Sequence, residues 1–270
     1  MIIDLHIHTF QGSSDSIISP EELIHKAKEK GLDAISVTDH NSYKGFQEVS
    51  KIGKEDGLLV MRGIELSSRY GHLLIYGVDI NEIFKVELTK LLSFVKDKKY
   101  LTLSEMKEIS ENLSLAVYTN LVDKIHEDNG ALVLAHPFGM YEKGTITCRY
   151  YLEEYLKGTH TKEITIEKLL QFIKDRDPIY FSIIENADGI EVFNPSCLLL
   201  ENIAAIQMAS YLNKNQIGAS DAHVPEHIGI CVTEFPQIRS EEEFITTLRS
   251  TKIEPKINPL KENLCSLSLR

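Results

Sequence analysis

The sequence predicts an α/β fold organised on a mainly parallel sheet. Short apolar runs alternate with amphipathic helical stretches along the 270 residues, the order expected when helices cross over between buried strands. About seven such runs can be counted, with no internal repeat and no low-complexity linker between them. Histidines and carboxylates collect at the ends of the runs, where barrel enzymes carry their chemistry.

The first strand is Ile2–His8, with Ile3, Leu5 and Ile7 alternating against Asp4, His6 and His8. Ser19-Pro20-Glu21-Glu22 then opens a helix: Ser19 is an N-cap, Pro20 suits the first helical position, and Glu22 completes a capping box. Gly31 ends it. A strand is expected over Ala34–Thr38 and a helix over Lys44–Glu55. Strands at Leu58–Met61 and His72–Val78 precede a mostly helical stretch over Asn81–Asn129. Further strands are read at Ala131–Ala135, Gly189–Phe193 and Ile217–Ala219, with a helix over Leu198–Asn213. Ser240 and Glu243 form a capping box for a late helix. The one irregular stretch is Gly139–Pro178, polar and rich in Tyr and Glu.

Bulk properties narrow the function. Hydrophobic residues make up 43% and charged residues 26%, an ordinary globular balance. The net charge of −11 disfavours long duplex DNA as a partner, because polyanions are repelled. It leaves short phosphorylated molecules open, since bound metals invert the local sign. Cys148, Cys197, Cys231 and Cys265 form no CxxC pair and read as reduced thiols. The N-terminal MIIDLHIHT is too short and polar for a signal peptide, and no apolar run approaches a membrane span. A cytoplasmic protein with no membrane partner is expected, its oligomeric state open.

Of ten histidines, six stand at strand junctions: His6, His8, His40, His72, His136 and His223. His6 and His8 lie two apart on a strand, so they share a face and can chelate one ion. Asp221 and His223 repeat that spacing. Imidazole nitrogens and carboxylates together suit divalent Zn, Mn or Fe. Each residue alone has an ordinary structural explanation: Asp39-His40 an internal hydrogen bond, Glu65 a loop carboxylate, His136 a strand cap. Their coincidence at strand ends points to metal. His25, His126 and His160 read as solvated, and His227, close after His223, as either a surface residue or one that backs the ligands.

The segments Asp4-Leu5-His6-Ile7-His8-Thr9, Val37-Thr38-Asp39-His40, Gly63-Ile64-Glu65, Leu134-Ala135-His136-Pro137 and Ala219-Ser220-Asp221-Ala222-His223 together resemble the PHP (polymerase and histidinol phosphatase) superfamily. Ala187–Asn194 is similar to the segment that precedes the last motif in its stand-alone members. The resemblance implies a distorted (β/α)7 TIM-like barrel and a single PHP domain over residues 1–270, with an inserted lid-like segment at about 139–178. It also implies two or three divalent metal ions. His6, His8, Glu65 and Asp221 would hold the first, Glu65, His72 and His136 the second, and Asp15, His40 and His223 the third. Many relatives have His at the Asp15 position; those with Asp are closer to this chain.

The expected reaction is phosphate-ester hydrolysis by a hydroxide bridging two metals, with Glu65, Asp221 and His223 as the catalytic group. A small phosphomonoester, a nucleotide or a short 5′-phosphorylated oligonucleotide would be the substrate. Arg149, within the insertion with Lys143, and Arg62, beside a metal motif, are the candidate phosphate contacts. Alternatives are a metal-dependent hydrolase of amides or lactones and a non-catalytic PHP module.

Overall fold

A computed structural model describes residues 1–85, 118–139, 144–158 and 164–257. Among the described residues, nine strands form one sheet in the order β7-β6-β5-β4-β3-β2-β1-β8-β9. They are β1 (Ile2–Ile7), β2 (Ala34–Val37), β3 (Leu59–Ser68), β4 (Gly71–Tyr76), β5 (Ala131–Leu134), β6 (Gly189–Phe193), β7 (Asn215–Gly218), β8 (Cys231–Glu234) and β9 (Glu254–Ile257). β1, β2 and β3 run parallel, as do β5, β6 and β7. β4 is antiparallel to both β3 and β5. A parallel bridge between Ile7 and Ala222 joins the far end of β1 to the segment after β7, so the sheet is a nearly closed, distorted barrel.

The seven strands read from the sequence are all present; β8 and β9 were not anticipated. β3 is longer than the sequence suggested. Its parallel pairing with β2 ends at Arg62, and it continues through Ser68 paired with β4, with one isolated bridge from His40 to Glu65 on its other side. Polar Ser67 and Ser68 resemble a loop in sequence, but the hairpin turn at Arg69-Tyr70 supplies the partner strand. Because β4 runs backwards, its first residues lie at the end of the barrel where the parallel strands finish.

The strict alternation expected of β1 is interrupted by a bulge between Asp4 and Ile7. Ile3 and Leu5 pack inside with Met61, Leu74, Tyr76, Val133 and Ile217. Ile7 packs outside with Leu23 and Ile24 of the helix Pro20–Glu29. One inserted residue reverses which side of a strand faces the core, and here it leaves His6 and His8 above the barrel interior. Helix Glu241–Ser250 closes the strand-start end with Phe244 and Leu248. Both capping boxes form their first half: Ser19 accepts from the Glu22 N–H and Ser240 from the Glu243 N–H.

Among its described residues, the stretch 139–178 is largely helical. It contains helices Cys148–Gly158 and Ile166–Arg176, whose Tyr151, Leu169, Leu170 and Ile173 join the largest apolar cluster. The apolar spacing was masked by the charged residues of both helices and by the tyrosines of the first, of which Tyr151 packs into the core. Lys143, His160, Cys265 and most of the stretch expected to be helical between Asn81 and Asn129 lie outside the described residues. No helix among the described residues is long and apolar enough to cross a membrane.

Candidate metal centre

Nine side chains from seven parts of the barrel meet at one end. β1 delivers His6 and His8 from its last turn past the bulge. β2 ends just before Asp39 and His40, and His40 bridges to Glu65 of β3. Ser67 pairs with His72 and Glu65 with Leu74 across the β3–β4 hairpin, so Glu65 and His72 share a face. His136 follows β5, and Asp221 and His223 follow β7. Asp15 comes from the loop after β1.

That loop is built on Asp39. Its carboxylate accepts from the Thr9 N–H, the Thr9 hydroxyl and the Ser13 hydroxyl. Gly12 and Gly45 are required beside it, since a Cβ at either would come within 2.2 Å of Asp39 Oδ2. The internal hydrogen bonds considered for Asp39 are therefore real, while His40 next to it turns to the cluster. Asp4 holds the opposite side, accepting from the Ser220 and Gly229 N–H groups. Burial, partly offset by these bonds, pushes the Asp4 pKa up to about 6.

Glu65 is the hub. Its Oε2 lies 3.2 Å from both His6 Nε2 and His8 Nε2 and 3.0 Å from His40 Nδ1. Its Oε1 lies 2.8 Å from His72 Nδ1 and 3.1 Å from His136 Nε2. Asp221 Oδ1 lies 3.4 Å from His6 Nε2 and 3.3 Å from His8 Nε2. On the outer side Asp15 Oδ2 is 3.4 Å from His40 Nε2 and from His223 Nε2. These contacts bring the nine residues together, with His40 facing both Glu65 and Asp15.

Burial decides what this cluster can do. His6, His8 and Glu65 are almost completely buried. Yet His6 Nε2, His8 Nε2, His40 Nδ1, His72 Nδ1 and Glu65 Oε2 have no hydrogen-bond partner. Buried polar atoms are normally satisfied, and an orphaned charged one costs several kcal/mol. Five orphans pointing at one another fit a cation between them. The ligand atoms of His6, His8, Glu65 and Asp221 lie within 4.8 Å of one another, as do those of His8, His40 and His223 and those of His40, Glu65 and His72. The donor set of imidazole nitrogens and carboxylate oxygens suits a divalent ion.

Electrostatics agree. Burial opposes protonation of His6, but Glu65, Asp221 and Glu191 outweigh it and push its pKa well up. His136 rises to about 9 against its own burial, through Glu65 and Glu191. Burial would raise Asp221, but His6 and His8 hold it well below the usual carboxylate range. Without a metal the carboxylates hold protons on the histidines; an ion would displace them. His223 goes the other way: burial and neighbouring His8 lower it. Its Nδ1 must donate to the Asp221 carbonyl, 2.9 Å away, leaving the Nε2 lone pair free.

The structure does not bring the two arginines here. Arg62 lies on β3 at the opposite parity to Glu65, so it faces out, donating to the Gly77 carbonyl and facing Glu241. Arg149 is engaged by Glu153 and Glu201, and Glu201 in turn accepts from the Leu198 N–H at a helix start. His126 is not free in solvent; it pairs with Asp188 at 2.9 Å. Sequence reasoning had assigned no role to Glu191, Asn194, Ser196 or Cys197. Ser196 and Cys197 line the cavity beside Gly139, and Glu191 lies behind His6. A charged residue amid the apolar alternation of β6 was the available signal.

The profile of the PHP domain family matches residues 4–173, and that of the PHP-associated family matches residues 200–253. A 5′-3′ exoribonuclease of Haemophilus influenzae is 30% identical over 120 residues, 44% of this chain and 42% of that protein. A DNA polymerase III PolC-type of Oceanobacillus iheyensis is 38% identical over 63 residues, 23% of this chain and 4% of the polymerase. The match thus spans less than half of either relative. The crystal structure of PsfC from Pseudomonas syringae PB-5123 superposes with a TM-score of 0.53 at 18% identity, covering 99% of this chain and 95% of that one. That likeness is one of fold. The PHP domain profile covers more than half of the chain, and its range contains His6, His8, His40, Glu65, His72 and His136: the chain belongs to the PHP domain family.

Proposed function

We propose that this chain is a metal-dependent hydrolase of phosphate esters, acting on a small phosphomonoester, a nucleotide or a short 5′-phosphorylated oligonucleotide. The observation that carries this reading is the set of five orphaned, buried ligand atoms around Glu65. No Lys or Arg is among the described residues lining the cavity. Charge on a bound phosphate must then be met by something other than a basic side chain.

His6, His8, Glu65 and Asp221 would hold one ion, Glu65, His72 and His136 a second, and Asp15, His40 and His223 a third. Zn, Mn or Fe there would supply Lewis acidity and positive charge. In this reading Asp221 orients an attacking water and accepts its proton. It is ionised, and the Asn194 amide 3.2 Å from Oδ2 leaves Oδ1 directed at His6 and His8. Glu65 keeps the floor negative, and His223 presents an unprotonated Nε2 at the rim. Gly139 lines the cavity, so the segment it opens, 139–178, is our candidate for choosing among substrates.

The similarity to an exoribonuclease supports nucleotides within this class. The test is a substrate panel on metal-reconstituted protein: nucleoside monophosphates, sugar phosphates, 5′-phosphorylated oligonucleotides, long duplex DNA, and an amide and a lactone, all at matched salt. We expect turnover of small or terminal phosphate esters. Hydrolysis of the amide or lactone with no phosphoester turnover would replace the reading, and internal cleavage of long duplex DNA alone would replace the substrate class.

A further inference from the structure

We propose that Glu191, together with Asn194, is the positioning unit that orients three of the ligands, His6, His136 and Asp221, without touching metal or substrate itself. The inference rests on the metal reading above and adds a residue pair outside the nine. Glu191 is buried on β6 and does not line the cavity. Both of its oxygens are occupied. Oε1 lies 2.9 Å from His6 Nδ1. Oε2 accepts from the His136 N–H at 2.8 Å and from Asn194 Nδ2 at 3.1 Å.

Each bond has a consequence. A carboxylate only accepts, so the His6 proton sits on Nδ1 and the Nε2 lone pair faces Glu65 and Asp221. The His136 backbone has φ +25°, a conformation a non-glycine residue keeps only when its surroundings hold it. The bond from its N–H to Glu191 is such a hold. Asp221 also has positive φ, at +49°, and its Oδ2 is 3.2 Å from the same Asn194 amide. Asn194 cannot flip to avoid this, because its Oδ1 accepts from the Ser196 N–H at 2.8 Å. One amide thus spans two carboxylates, and one carboxylate spans two strand ends.

Glu191→Gln separates positioning from packing because it keeps the size and shape. A glutamine has one oxygen where two donors, His136 N–H and Asn194 Nδ2, already converge. The oxygen is drawn there, and its NH2 is turned towards His6 Nδ1. His6 must then accept at Nδ1 and carry its proton on Nε2, the nitrogen needed for the ion. We expect affinity for Zn2+ and for Co2+, measured by chelator competition, to fall by about 10- to 100-fold. The far-UV circular dichroism of the metal-free protein should not change. Long-range 1H–15N spectra of histidine-labelled, Zn-loaded protein should show His6 protonated at Nδ1 in the wild type and lose that signature in Glu191→Gln.

Unchanged affinity and an unchanged His6 tautomer in a folded variant overturn the proposal. If the variant does not fold, the wild-type spectrum decides alone: His6 protonated at Nε2, or bound to zinc through Nδ1, overturns it. A wild type that takes up no divalent ion removes the metal reading and this inference together, whereas ion uptake indifferent to Glu191 removes only this one.

Discussion

The floor and the rim of the cavity use the same residue types in different ways. On the floor, His6, His8 and Glu65 are 0–1% exposed, and each histidine is backed from behind. Glu191 stands behind His6 directly. His8 Nδ1 meets the Ser13 hydroxyl at 3.0 Å, and Ser13 in turn donates to Asp39. On the rim, His40, His72 and His223 are about a quarter exposed, and Asp15 is 56% exposed. Water can hydrate rim groups and screen their charges, so folding commits them only loosely. The floor groups have given up water, and their geometry is set before any ion arrives. Affinity should therefore reside in the floor, while the rim adjusts to what is bound.

The largest effect should follow from removing the hub. Glu65→Gln keeps the size but removes the charge that faces five histidines. We expect the loss of at least one ion and a fall in rate of roughly a thousandfold or more, about 4 kcal/mol in barrier. Metal analysis and phosphoester kinetics on the same sample would check it, and a near-normal rate would make Glu65 peripheral. Asp15→Asn on the rim should cost far less, about tenfold in rate, with the floor ion retained. Equal losses for the two variants would abolish the distinction between floor and rim.

A third expectation concerns pH in the metal-stripped protein. His136 in the folded state is raised to about 9, and His6 is raised too. The contribution of His136 to stability is complete below the ordinary histidine pKa of about 6.5 and is lost as pH rises through about 9, and that of His6 is lost in the same direction. Glu65 and Asp221, both lowered, act in the opposite sense: their contribution is lost on acidification below the usual carboxylate range. Thermal melts of stripped protein should therefore decline between pH 6.5 and 9, and saturating zinc should remove that decline. A flat profile in stripped protein would mean that these histidines are not held charged.

The smallest effect should come from Arg149. Its contacts are partly exposed, so Arg149→Met should cost about 1 kcal/mol of stability or less. Phosphoester kcat and KM should stay near wild type. A selective rise in KM would return Arg149 to the role of phosphate contact.

Much of the centre was legible because its signals are local. HxH on a strand and DxH after one are spacings within three residues, and all nine metal candidates meet in space. The helix starts at Ser19 and Ser240 were legible for the same reason, since a capping side chain bonds three residues ahead. Arg149 was a candidate because the insertion could fold over the barrel mouth, and its guanidinium instead meets Glu153 and Glu201; for Arg62, nearness in sequence was taken for nearness in space. Arg62 is three residues from Glu65, and an odd separation on a strand puts it on the other face.

By itself, then, the sequence determined which residues could ligate a metal, where helices begin, and that strands alternate with helices. Those properties depend on residue type and on neighbours a few positions away. Only the tertiary structure decided that Glu191 stands behind His6, 185 residues away in the chain. It alone decided that a bulge turns Ile7 outward, and that β4 runs backwards to bring His72 beside Glu65. A strand's period says which residues share a face; what lies opposite that face depends on sheet order and register, which long-range pairing sets.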